Sequence, residues 1–175
     1  MQFLDFVNGN EWLEKKCRLA PKSIYELCKN HEFKYHSAYA IPKESARKTF
    51  FASLICSYVN FKEMGCLWIF DRCIDDLTQN YDLFDGYLKS MGQDEGLNKK
   101  PCHIFSENDA LHIECLISLA LYLLFDVMLI DDVSNVITVF DMGHDEWIDI
   151  YSTDGDKFKE INNNFVNFGF KVLNS

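Results

Sequence analysis

Three groups of residues have types and spacings that could carry chemistry. The first is Gly143-His144-Asp145-Glu146-Trp147, which sets a histidine beside two carboxylates after a β-branched run. An imidazole next to acids could serve as a general base or a metal ligand. However, Asp145 and Glu146 are adjacent and would not share a helix face, and no second histidine follows four residues on. A bland reading competes: Asp145 or His144 caps a short helix over His144 to Ser152, with Trp147, Ile148 and Tyr151 docking inward.

The second group is Asp71-Arg72-Cys73-Ile74-Asp75-Asp76, directly after the apolar run Cys66-Leu67-Trp68-Ile69-Phe70. Carboxylates at the end of a strand recur in magnesium-dependent phosphoryl enzymes. No GxxxxGK[ST], GxGxxG or GxSxG accompanies them, so a solvated loop or a partner-binding acid cluster fits as well. The third group is His103, His112 and Cys115. His112 and Cys115 share a helix face at a spacing of three, but no further ligand follows at useful spacing. Structural roles account for all three residues, and the sequence calls for no cofactor and no metal.

The elements that must position these residues follow from periodicity. Glu11–Arg18 and Ser23–Asn30 read as short helices around Pro21, and Phe33–Ile41 as an aromatic strand. Lys43–Phe61 reads as a helix with a stripe of Ala46, Phe50, Leu54 and Tyr58, widened by Phe51 and Ile55. Met64–Ile74 contains a buried central strand. Tyr81–Met91 is a helix ended by Gly92, and residues 92–102 are a polar loop. Ser106 caps a helix over Glu107–Leu124 that is apolar on most of its circumference, which predicts a central, deeply buried helix. Asp126–Asp131 and Asn135–Asp141 form a hairpin, and a last helix with Phe158, Ile161, Phe165 and Phe168 stops at Gly169. The expected fold is α+β (mixed α/β): one mixed sheet of about four strands with a C-terminal hairpin, packed by five to seven helices, in one domain over residues 1–175.

Composition bounds the function. The chain has 175 residues, 48% of them apolar and 15% aromatic, which supplies a core and excludes disorder. The start, Met1-Gln2-Phe3-Leu4-Asp5-Phe6, lacks a secretory pattern, and the longest apolar stretch, Leu116–Phe125, is well short of the ~20 residues that span a bilayer. A cytosolic protein is expected. The seven Cys are odd in number and no two are two residues apart, so they read as buried thiols and not as disulfide or zinc frameworks.

The net charge is −10, and it is uneven. Residues 1–62 hold 10 Lys/Arg and 6 Asp/Glu, a balance of +4; residues 63–175 hold 7 and 21, a balance of −14. An acidic surface repels nucleic acid and anionic membrane and steers basic proteins toward it.

Leu67-Trp68-Ile69, Leu83-Phe84-Asp85-Gly86-Tyr87, Pro101-Cys102-His103-Ile104-Phe105, Phe125-Asp126-Val127-Met128-Leu129-Ile130 and Gly143-His144-Asp145-Glu146-Trp147 together resemble a group of small bacterial cytosolic proteins. The likeness covers roughly residues 35–150. The group is expected to carry Gly at the position of Cys102 and Trp at that of Phe125. In size, acidity and lack of a catalytic set the chain also resembles immunity proteins of the contact-dependent inhibition and polymorphic toxin systems. That resemblance implies an inhibitor, not an enzyme, which binds a cognate toxin, often a basic nuclease domain. The acids expected at the interface form two blocks: Asp75, Asp76, Asp82 and Asp85, then Asp145, Glu146 and Asp149. Trp147 and Tyr151 are the expected aromatic anchors. The alternatives are a small metal-dependent hydrolase using Asp71, Asp75 and His144, and a scaffold or homo-oligomer subunit marked by an exposed apolar patch.

Overall fold

The computed structural model describes residues 1–17, 28, 33–70, 78–123, 125–133, 136–143 and 146–173, with backbone alone at 17, 78–81 and 133. Eight strands form one open sheet. They are β1 (Gln2–Leu4), β2 (Tyr35–Ala40), β3 (Gly65–Ile69), β4 (Cys102–Phe105), β5 (Val127–Val133), β6 (Val136–Gly143), β7 (Trp147–Ser152) and β8 (Val172–Leu173). The spatial order is β1-β4-β3-β5-β6-β7-β2-β8, and every neighbouring pair is antiparallel. Five helices accompany it among the described residues: α1 (Phe6–Cys17), α2 (Ser45–Ser57), α3 (Thr78–Ser90), α4 (Ala110–Leu123) and α5 (Gly155–Asn167).

This corrects the expectation of a mixed sheet of about four strands. β2, β3, β5 and β6 were readable because their alternation is long or their burial complete. β1, β4 and β8 are only three, four and two residues long, too short for a pattern to emerge. The largest error concerns residues 147–152. A short helix is expected there, but Trp-Ile-Asp-Ile-Tyr-Ser forms a strand paired with β6 and β2. Its period of two buries Ile148, Ile150 and Ser152 and turns Trp147, Asp149 and Tyr151 the other way. The expected second helix at 23–30 lies outside the described residues except at Cys28, which is helical.

The sheet separates two cores. Leu67, Ile69, Leu129, Phe140, Met142, Ile148 and Ile150 face a layer made of α2, α3, α4 and α5. Cys66, Trp68, Met128, Ile130 and Val139 face the other way, where Leu13 of α1 packs on them. Because β3 lies inside the sheet and is covered on both faces, all five of its residues are buried.

The helices depart in detail from their expected faces. In α2 the buried residues are Lys48, Phe51, Ala52, Leu54, Ile55 and Cys56, while Phe50 is exposed. The face is rotated because Phe51 must meet Phe165 and Phe170. Lys48 is tolerated inside because its ammonium donates to the Leu121 carbonyl at 2.9 Å. α4 is not buried all round: Ile113, Leu116, Ile117, Ala120 and Leu121 are covered, but Leu111 is 78% exposed.

Capping follows the sequence. Asp109 accepts the Ser106 backbone N–H at 3.0 Å, and Asp154 accepts the Lys157 N–H at 2.8 Å to start α5. Gly169, at φ 75°, ends α5 in the left-handed region that glycine adopts without cost.

Candidate functional site

The site grows from the pairing of β6, β7 and β2 on the α1 side of the sheet. Register places Asp141 directly opposite Asp149, Gly143 opposite Trp147, and His36 opposite Tyr151. Strand alternation does the rest, bringing Trp147, Asp149, Tyr151, Asp141 and His36 onto one face. Rigid strands hold these side chains, and the neighbouring segment adds Phe33 and Cys28.

The contacts are specific. His36 Nε2 lies 2.7 Å from Asp149 Oδ1. The His36 ring stacks on Tyr151, with centroids 4.6 Å apart and planes 16° from parallel, and Phe33 packs on Tyr151 at 5.4 Å. The Trp147 indole lies over Gly143 and stays 38% exposed. Just before β7, Glu146 sits at φ 68°, a left-handed turn position, and its carbonyl accepts the Ile41 N–H at 2.8 Å. Its carboxylate pairs loosely with Lys43 at 3.4 Å.

Electrostatics at this site disfavour negative charge. Burial, then Asp149, then Asp126 push the Asp141 carboxyl up from 3.8 to about 6. Burial and Asp149 likewise raise the Tyr151 hydroxyl, and burial with Asp141 and Asp149 raises the Cys28 thiol. Burial and the facing Asp149 carboxylate therefore favour the protonated form of Asp141. An ammonium or guanidinium brought to the two acids would relieve the repulsion. The exposed Trp147 indole offers flat apolar surface beside the charge.

The candidate residues divide between the two faces of the sheet. Trp147, Asp149 and Tyr151 share this face, and Glu146 borders it. Asp82 and Asp85 sit on α3, which packs against the opposite face through Phe84 and Leu88. Asp82 and Asp85 are therefore separated by the sheet from Asp149. Asp75, Asp76 and Asp145 lie outside the described residues, as do Asp71 and His144 of the hydrolase alternative. Among the described residues, no group of three or more His, Cys, Asp or Glu side chains could hold a metal ion. Nor does any helix of the described residues have the length and apolarity to cross a membrane.

The remaining histidines are in structural settings. His103 is fully buried, with Nδ1 3.1 Å from the Pro101 carbonyl and Nε2 3.0 Å from Gln93 Oε1. Burial pulls its pKa down from 6.5 to about 4. His112 Nδ1 meets the Tyr87 hydroxyl at 3.1 Å on the helical side of the molecule.

Sequence reading missed His36 and Asp141. Asp141 could have been found, because it continues the alternation of Ile137 and Val139. His36 could not, because its link to Asp149 spans 113 residues and depends on the β2–β7 register.

Comparison of the chain with protein families, curated proteins and solved structures finds no match in any of the three.

Proposed function

We propose that this chain is an immunity-type inhibitor that acts in the cytoplasm and neutralises a basic toxin domain, of nuclease kind, by one-to-one binding. The observation that carries the reading is the Asp141–Asp149 pair, set between Trp147 and Tyr151 on rigid strands. Acids that repel each other gain most from a partner's Lys or Arg, and aromatic neighbours are the residue types that anchor interfaces. The balance of −14 over residues 63–175 would speed encounter with a cationic partner. Asp82 and Asp85, on the far side of the sheet, would add to steering and not to docking.

The test is co-expression with the product of the immediately upstream gene, followed by purification and binding kinetics. The reading expects a stable complex, slower association at higher salt, and protection of cells from that product. Trp147→Ala should cost about 2 kcal/mol of binding free energy, and Asp149→Lys should mainly slow association. Absence of both binding and protection would end the reading.

A second reading has its own observation. Phe50, Val166, Phe168 and Val172 are all about half exposed, and the Phe50 and Phe168 rings meet edge-to-face at 5.3 Å near edge strand β8. Such a patch suits a homo-oligomer subunit. Solution mass by light scattering decides it: a dimer that Phe168→Asp converts to monomer supports this reading, and a monomeric parent removes it.

A further inference from the structure

Cys66 of β3 and Cys102 of β4 are diagonal neighbours across an antiparallel pair, since Cys66 opposes Ile104 and Cys102 opposes Trp68. Both are fully buried in the core beneath α1, and their sulfurs are 3.4 Å apart. A disulfide needs about 2.05 Å, so closure asks for roughly 1.4 Å of approach between the sulfurs, and the diagonal placement requires β3 and β4 to draw together as the bond forms. Gly9 of α1 roofs the pair: a Cβ there would lie 2.8 Å from Cys102 Cβ and 2.7 Å from the Trp68 ring.

We propose that Cys66 and Cys102 form a reversible disulfide, a redox-sensitive tie between β3 and β4, with hydrogen peroxide as the two-electron oxidant. One sulfur attacks a peroxide oxygen; the O–O bond breaks, giving a sulfenic acid and water. The second sulfur attacks the first, the S–O bond breaks, and the hydroxyl leaves with the second thiol's proton as another water. Two thiols and one peroxide thus become one disulfide and two waters. Thiol–disulfide exchange with a small dithiol reverses the step. Burial makes the pair slow to oxidise, because α1 must lift first. Burial equally protects the bond once it is made. The tie closes a loop that contains α3, so it restricts the unfolded chain and raises resistance to denaturant.

The test is peptide mapping of the folded, full-length protein after hydrogen peroxide and alkylation. The expected product is a peptide pair joined through Cys66 and Cys102, lighter by two hydrogens than its parts and released by dithiothreitol. The oxidised protein should unfold at higher urea than the reduced protein. Cys102→Ala should abolish the joined pair; if that variant does not fold, the parent map stands alone. The proposal fails if exposed Cys115 oxidises while Cys66 and Cys102 still alkylate after unfolding. It fails equally if the joined pair appears only when oxidation is carried out in urea.

Discussion

Asp141 and Asp149 stand directly opposite each other across β6 and β7, like charges in a register position where opposition is unfavourable. His36 offsets part of this through its 2.7 Å contact to Asp149. A fold that tolerates such a pair holds stability in reserve there, and a bound cation would release it.

That reserve is measurable. The Asp141 carboxyl titrates at about 6 in the folded protein, against 3.8 ordinarily. A raised folded pKa favours the protonated form. Its contribution to stability is fully present below the unfolded value and is lost as pH rises through the folded one. Asp141→Asn removes that loss. It should stabilise the protein by up to about 3 kcal/mol at pH 8 and by almost nothing at pH 4. Urea unfolding of parent and variant at both pH values checks this; equal gains at the two would contradict it.

His103 has the opposite pH dependence. It titrates at about 4 when folded and 6.5 ordinarily, because burial penalises the imidazolium. A depressed folded pKa means the contribution is present above 6.5 and lost progressively as pH falls toward 4. The loss is on the order of 3 kcal/mol. Its ring protons, followed by NMR, should show no titration between pH 8 and 5. A midpoint near 6.5 in the folded protein would refute the neutral assignment.

Lys157 of α5 reaches Asp131 at 2.6 Å, and the Asp131 side chain is only 1% exposed. Removing the lysine leaves a buried carboxylate without its counter-charge. Lys157→Ala should therefore cost about 3–5 kcal/mol, and pairing it with Asp131→Leu should recover most of that cost. Denaturant midpoints of the single and double variants measure the coupling. A single variant within ~0.5 kcal/mol of the parent would show that the pair behaves like a surface one.

Gly65 is required by close approach. A Cβ there would lie 2.3 Å from the Phe105 ring and 3.0 Å from the Ile130 carbonyl oxygen. Neighbouring strands leave the ring little room to move. Gly65→Ala should destabilise by about 1–3 kcal/mol, read as a lower thermal midpoint. Gly86, whose Cβ would meet nothing within 4 Å, is the control. Gly86→Ala lies inside α3 and should be neutral or stabilising.

Local chemistry was sufficient to mark the ends of α5, the Ser106–Asp109 cap, the β5–β6 hairpin and the buried β3 run. Each of these depends on residues within a few positions of one another. The sequence could also assign acidity to the later portion and note that no catalytic motif accompanies it. It could not reveal the edge strands, whose few residues become strands only when a partner supplies hydrogen bonds. Nor could it separate helix from strand at Trp147–Ser152, where a capping pattern competed with an alternation that pays off only between β6 and β2. Tertiary structure alone decided that His36 joins Asp149 and Tyr151, that Asp141 stands opposite Asp149, and that Asp82 and Asp85 lie on the other side of the sheet. The reason is geometric: a sheet's two faces are assigned by register between strands far apart in the chain, and register is a property of the assembled sheet.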